Sequence, residues 1–161
     1  MPKRYIERPV GRAELQSLVA LASAEEASFF ERNPHLVEPY RDRLVGVALC
    51  QGAALQYLGI GCGINDFDVH FFYRQNPTRL RLSRRVKRTR ATVASFHDIA
   101  VDFIRTVIPL RSRATEHETA LPQLLRLLRN PPTPNGEHLA KKAVIGLLRA
   151  SLFGVVIWPV P

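Results

Sequence analysis

The segment DFDVHFFY, at residues 66–73, restricts the fold of this chain more than any other stretch. It is rich in aromatic and β-branched residues and it alternates, which is the pattern of a β-strand. Because successive side chains of a strand point to opposite faces, Asp66 and Asp68 share one face and Phe67 and Val69 share the other. The sequence therefore predicts a β-sheet with one apolar face in the core and two carboxylates on the opposite face.

Two more apolar runs predict strands on either side of this segment. Residues 43–50 (RLVGVALC) form a short strand-like run, after which Gly52 allows a tight turn into a short helix. Residues 99–108 (IAVDFIRTVI) predict a third strand, although Asp102 and Arg105 interrupt its alternation.

Helical spacing of apolar residues predicts the remaining elements. Helices are expected over residues 12–32, 122–129 and 137–148, the last with Asn135 as its N-cap. The apolar tail at 151–161 is expected to pack back on the core.

The mixture of strands and helices predicts an α/β (α+β) fold, with helices packed against a small mixed β-sheet. The chain has 161 residues, the size of one ordinary domain. We therefore interpret residues 1–161 as a single domain, with the motifs in 44–108 and a helical part in 115–161.

The charge composition favours an anionic partner. Lys and Arg number 23 against 14 Asp and Glu, so the net charge is +9. A nucleic acid, a nucleotide or an acidic protein would each suit this charge, which does not choose among them.

Most of the excess positive charge lies in one stretch, residues 74–90, which we call the basic segment. It has no acidic residue and eight basic ones: Arg74, Arg79, Arg81, Arg84, Arg85, Lys87, Arg88 and Arg90. As a connecting loop it could bind a triphosphate or a nucleic-acid backbone. Runs of charge are also common on solvated surfaces that bind nothing.

The number of cysteines and the length of the apolar runs bear on the cellular compartment in which the protein is found. Cys50 and Cys62 are the only cysteines, too few for a disulfide framework or a zinc site. The N-terminus does not have the pattern of a signal peptide, and the chain has no apolar run of about 18 residues. We expect a cytoplasmic protein with no membrane partner.

Asp66 and Asp68 are candidate ligands for an ion. They leave the same strand face, roughly 6–7 Å apart at the backbone, so their carboxyl groups can converge on an ion between them. Exposed Asp residues on a solvated strand face are also common without any ligand. However, Asp is a poor strand former, and this pair interrupts one of the most apolar stretches of the chain.

A third carboxylate, Asp102, lies in the middle of the strand predicted at 99–108. If this strand neighbours the one at 66–73, three carboxylates meet, and they repel one another unless cations bind there. Ligand sets made only of oxygen select Mg²⁺ or Mn²⁺, the ions that accompany nucleotide phosphates. Two such ions could clamp the oxygens of a phosphoryl transfer, with Asp102 easing the deprotonation of an acceptor hydroxyl.

Gly52 is a candidate phosphate contact. A strand that ends in glycine and turns into a helix lets backbone N–H groups approach a phosphate closely. Considered alone, Gly52 is more simply explained as a residue that permits a turn.

The order of these parts resembles the nucleotidyltransferase fold of the polymerase-beta-like superfamily. In that family an apolar strand ends in Gly-Ser or Gly-Gly, an acidic-x-acidic strand follows after a short spacer, and a third acidic residue lies on a later strand. Here VALCQGA supplies the strand and turn, DFD the acidic pair, and VDF the third position. The resemblance spans residues 44–108, and the chain is similar overall to small bacterial proteins of the minimal nucleotidyltransferase-like type.

The resemblance implies transfer of a nucleoside monophosphate from an NTP to a hydroxyl or phosphate acceptor, with release of pyrophosphate. It implies Gly52 at the phosphates, Asp66 and Asp68 as metal ligands, and Asp102 as a shared ligand or base. Ala53 carries over only as a backbone position, because the family usually has Ser or Gly there and the hydroxyl is missing. From the basic segment, the residues expected at the nucleotide are Arg84, Arg85, Lys87 and Arg88.

Two functions follow as expectations. The first is a metal-dependent nucleotidyltransferase with a nucleic-acid or protein acceptor. The second is a catalytically inactive module of the same fold that binds nucleic acid or a partner protein through the basic segment. Families of this fold normally have a second domain that holds the acceptor, and this chain has little room for one. That shortage favours the second function, with a homo-oligomer or a partner protein that completes the site as the alternative.

Overall fold

The structure is a computed structural model, and it describes residues 5–78, 80–82, 85–109, 119–131 and 134–160. These residues form the helices α1 (Arg12–Arg32), α2 (Val37–Tyr40), α3 (Gln51–Tyr57), α4 (Ala120–Arg129) and α5 (Pro134–Ala140). The strands among them are β1 (Leu44–Cys50), β2 (Asp66–Arg74), β3 (Lys87–Val93), β4 (Phe96–Ile108), β5 (Val144–Leu148) and β6 (Val156–Trp158).

The strands form one mixed sheet in the order β3-β4-β2-β1-β5-β6. β2 pairs antiparallel with β1 and parallel with β4, and β3 runs antiparallel to β4 at the edge. Two parallel strands need a long crossover connection, and here the basic segment and β3 provide it. The predicted mixed α/β fold is confirmed.

Helices cover both faces of this sheet. On one face α1 contributes Leu15 and Leu18 to a buried cluster that also contains apolar residues of β2 and β4, including Val69 and Phe103. On the other face α4 packs its leucines against β1 and β2, with Phe72 buried between them. The acidic residues therefore lie on the α4 side of the sheet, because they alternate with residues that contact α1.

The helix α1 spans the residues that its periodicity predicts. Its buried apolar side chains recur at helical spacing, and they include Leu15, Leu18, Ala22 and Phe29. At its start Glu14 accepts a hydrogen bond from the backbone N–H of Gly11 at 2.9 Å. It ends before Pro34, which favours termination at the preceding residues. No described helix is long and apolar enough to span a bilayer.

The helix predicted over 137–148 is wrong in its second half. Helix α5 ends at Ala140, and Val144–Leu148 is the strand β5, which pairs antiparallel with β1. Asn135 is not an N-cap, because the helix already begins at Pro134. A run as short as VIGLL is apolar on both faces, so its periodicity does not separate a buried strand from a buried helix.

The part of the chain predicted as helical, 115–161, therefore also contains the strands β5 and β6. Its residues 115–118 lie outside the described ranges. The predicted packing of the tail is confirmed, since Leu152 and Ile157 are buried in the core next to α4.

The basic segment is not a loop over its whole length. Lys87, Arg88 and Arg90 belong to the edge strand β3, where Arg88 lies opposite Asp102 of β4. Strand pairing outweighs the low β-propensity of Lys here, and charged residues are typical of an exposed sheet edge. Arg79 and Arg84 lie outside the described residues.

We predict that Gly146→Ala lowers the free energy of unfolding by about 1–3 kcal/mol, because a methyl group there overpacks the interior. In β5, a Cβ at Gly146 would collide with the backbone carbonyl oxygen of Leu152. Urea denaturation measures the change. Gly52→Ala is the matched control, since a Cβ there meets no atom within 4 Å. Equal stability of Gly146→Ala and the wild type would contradict the packing of β5.

Candidate metal centre

Three carboxylates converge where β2 and β4 run side by side. The parallel register places Asp68 opposite Asp102, and Asp66 precedes Asp68 by two residues on the same face. One carboxylate oxygen from each of the three residues lies within 4.8 Å of the other two. The predicted convergence of Asp66, Asp68 and Asp102 is confirmed.

The carboxyl group of Asp68 is the most perturbed of the three. Burial raises its pKa, and the negative charges of Asp66 and Asp102 raise it further, to about 7. Arg88 and Lys142 oppose this shift with their positive charges. The cluster therefore holds more negative charge than its surroundings neutralise, as expected where a cation would be stabilised.

Arg88 supplies part of the missing positive charge. Its Nε and Nη2 atoms donate hydrogen bonds to the two carboxylate oxygens of Asp102, each at 2.7 Å. Nη2 also donates to Asp66 at 3.0 Å. This is the bidentate geometry in which Arg binds carboxylates most specifically. The arginine thus bridges two of the three candidate ligands and competes with any metal ion for them.

The donor set suits a hard divalent cation. All three candidate ligands are carboxylates, and no sulfur or imidazole donor belongs to this group of described residues. Such a set matches the oxygen coordination of Mg²⁺, Ca²⁺ or Mn²⁺. The three residues are close enough to hold one metal ion.

A cleft of about 650 Å³ opens beside the carboxylates. Asp66 and Asp68 lie on its wall, Gly52 follows the end of β1, and Lys142 adds a positive charge near Asp68. The remaining lining residues come from the start of the chain, from α3, from the loop before β2 and from α5: Tyr5, Gln51, Ala53, Leu55, Ile60, Gly61, Cys62, Gly63, Ile64, Asn65 and His138. Gly52 and the acidic pair are thus brought to one cavity.

The backbone at Gln51 is strained where β1 turns into α3. Gln51 has φ of +63°, a left-handed conformation that non-glycine residues rarely adopt. Its side chain is buried, and its Oε1 atom has no hydrogen-bond partner among the described residues. Strain of this kind costs on the order of 1–3 kcal/mol and is concentrated at functional sites. Gln51 lies directly before Gly52, on the wall of the cleft.

Ala53 also lines the cleft, and it is buried in the apolar cluster to which α1 contributes. The remaining predicted site residues have different positions. Lys87 faces α1, where it pairs with Glu25, and is not brought to the carboxylates. Arg85 is exposed and lines a second cavity. Arg84 lies outside the described residues.

Three residues of the cleft are not marked by any pattern in the sequence. The helix predicted over 137–148 would include Lys142, and only the turn after α5 brings this residue to Asp68. His138 lies on α5 and reaches the cleft through the same packing. No local pattern marks Gln51, because its conformation is visible only in the folded backbone.

No family model, curated protein or solved structure matches this chain. The resemblance to nucleotidyltransferases, which is based on VALCQGA, DFD and VDF, therefore stays a prediction.

We predict that Asp68 makes the metal-free protein less stable as the pH rises. Its pKa is about 7 in the folded protein against 3.8 as the ordinary value, so between these values the folded state holds a proton that the unfolded state has released. Stability is then lost with rising pH at up to about 1.4 kcal/mol per pH unit. Urea denaturation between pH 4 and 8, with EDTA, measures this slope.

Asp68→Asn cannot titrate, so its stability should exceed that of the wild type by more at pH 7 than at pH 4. Asp98→Asn is the matched control, because Asp98 is exposed and pairs with Arg90 outside the cluster. A difference between wild type and Asp68→Asn that does not change with pH would contradict the raised pKa.

We predict that Arg88→Gln binds Mn²⁺ about 2–5-fold more tightly than the wild type, because the exposed ion pair that competes with the metal contributes up to about 1 kcal/mol. The substitution removes the cation that bridges Asp66 and Asp102. Calorimetric titration measures the affinity. Arg90→Gln removes the same charge from β3, where Arg90 pairs with Asp98, and should change affinity little. Weaker binding by Arg88→Gln than by Arg90→Gln would refute the competition.

Proposed function

We propose that this protein is a metal-dependent nucleotidyltransferase, which moves a nucleoside monophosphate from an NTP to a hydroxyl or phosphate acceptor. The supporting observation is the convergence of Asp66, Asp68 and Asp102 within 4.8 Å of one another. A cleft of about 650 Å³ beside them is large enough for a nucleotide.

The metal we propose is Mg²⁺, with Mn²⁺ as its substitute. Both ions prefer carboxylate oxygens and are bound together with phosphates in nucleotide sites. When bound, the ion would neutralise the charge that develops on the phosphoryl oxygens. Asp66 and Asp68 would hold it, and Asp102 would share it or act as a base.

The residues of the cleft have distinct roles in this proposal. Backbone groups at Gly52 approach the phosphates, because no side chain separates them from the cavity. Lys142 is the cation near Asp68 that can contact the same phosphates. The acceptor oxygen forms a bond to the α-phosphorus, the bond to the bridging oxygen breaks, and pyrophosphate leaves with the electron pair. The acceptor proton passes to Asp102.

Arg88 must release the carboxylates before a cation can use both oxygens of Asp102. Its guanidinium is about half-exposed, so it can turn towards solvent or towards a phosphate at small cost. This movement would turn it from a partner of Asp102 into a contact for the nucleotide, as expected from its place in the basic segment.

We predict that the wild type binds at least one of the four NTPs in the presence of Mg²⁺ and that Asp66→Asn/Asp68→Asn binds none. The double substitution removes two carboxylates without changing side-chain size much, so loss of binding reports on the metal and its nucleotide. Calorimetric titration of each NTP, with Mg²⁺ and again with EDTA, makes the measurement without knowledge of the acceptor.

Two variants make this test sharper. Asp98→Asn removes an exposed carboxylate outside the cluster and should bind like the wild type. Gly52→Ala adds a methyl group at the cleft wall where no protein atom lies within 4 Å, so it should fold and still weaken nucleotide binding. Binding that is the same in the double variant as in the wild type would refute the proposed site.

The ion pair of Arg88 favours a second candidate, a catalytically inactive module of the same fold. An arginine bound to Asp102 and Asp66 neutralises the cluster without any metal. Such a protein would bind nucleic acid or a partner protein through the basic segment. Its affinity for RNA or DNA would fall steeply with salt and would not change in Asp66→Asn/Asp68→Asn. Dependence of that affinity on Mg²⁺ and Asp66 would exclude this candidate.

A further inference from the structure

A second cavity, of about 520 Å³, lies between α1 and β3. It is on the sheet face opposite the carboxylates, because Lys87 contacts Glu25 of α1 while the next residue, Arg88, reaches across to Asp102. The cavity is lined mainly by basic side chains from three elements: Phe29, Arg32, Asn33, Arg85, Val86, Lys87, Arg88 and Arg105. We call it the basic cavity.

Positive charge exceeds negative charge at the basic cavity. Glu25 is buried, and its carboxylate accepts hydrogen bonds from Lys87 at 2.7 Å, Arg32 at 3.0 Å and Arg105 at 3.2 Å. Burial opposes ionisation of Glu25, but these three hydrogen bonds outweigh it and lower its pKa. Glu25 thus accepts hydrogen bonds from three cations, and the only other carboxylate that acts on one of them among the described residues is Glu26, which attracts Arg105.

Arg105 is the deepest of these cations. It is 4% exposed, and its guanidinium stacks on the ring of Phe29 at 3.5 Å. Its Nε atom has no hydrogen-bond partner among the described residues, although nearly all buried donors are paired in proteins. That atom is closed off from the cavity, so an anion there would meet the rest of the guanidinium, whose buried charge is little screened by water.

We propose that the basic cavity binds a phosphate group. Guanidinium and ammonium donors from Arg32, Lys87 and Arg105 surround one space, which suits the several oxygens and the charge of a phosphate. Two sources share this chemistry, the phosphomonoester of a nucleotide or strand end and the phosphodiester of a nucleic-acid strand. The inference does not rest on the proposed transferase, because it involves the other face of the sheet and needs no metal.

The first test is a titration of inorganic phosphate into the full chain with EDTA present, in which ³¹P NMR measures how much phosphate is bound. We expect the wild type to bind, and Lys87→Met and Arg105→Met to bind about tenfold more weakly or not at all. Arg90→Gln is the matched control, since Arg90 lies on the same strand but pairs with Asp98 outside the cavity. Lys87 is 41% exposed, so its substitution should leave the fold intact even if Arg105→Met does not.

The second test distinguishes the sources with short single-stranded oligonucleotides, with and without a 5′-phosphate. A terminal phosphate is the ligand if only the phosphorylated strand is sensitive to Lys87→Met, and the backbone is the ligand if both strands are. Either result supports the site. Absence of phosphate binding, binding that Lys87→Met leaves unchanged, or equal loss in Arg90→Gln would overturn it. Because EDTA is present, each of these results is independent of the metal-dependent NTP titration.

Discussion

The parallel pairing of β2 with β4 is the interaction on which the rest of the structure depends. It places Asp68 opposite Asp102, and the apolar residues that follow them, Val69 and Phe103, lie on the α1 side of the sheet. A slip of one residue in either strand would exchange the two faces and bury the carboxylates under α1. The apolar contacts of α1 therefore determine indirectly where the candidate metal centre lies.

The end of the sheet near Cys50 and Asp68 concentrates features that a purely structural design would avoid. Three carboxylates lie together, burial and repulsion raise the pKa of Asp68 to about 7, and Gln51 has a left-handed backbone. Each feature is unfavourable for folding, and all three border one cleft. The buried core on both sheet faces offsets these costs, as is typical of proteins that maintain a binding site at the expense of stability.

The edge strand β3 divides the charge of the basic segment between two sites. Arg88 contacts the carboxylates on one face, while Lys87 joins Arg105 and Arg32 around Glu25 on the other. Alternation along one short strand thus produces an acidic cluster with a bound arginine on one side and a cavity with excess positive charge on the other. The composition shows only that the chain is basic.

Sequence periodicity alone determined α1, β1, β2, most of β4 and the shared face of Asp66 and Asp68, because each depends on which residues of a local pattern are apolar. Only the tertiary structure decided that VIGLL is the strand β5, that Arg88 pairs with Asp102, and that Arg105 meets Glu25. A short apolar run is equally suitable for a buried helix or strand, and its neighbours decide between them. Pairs of charges distant in sequence follow from strand order and helix packing, which no local pattern encodes.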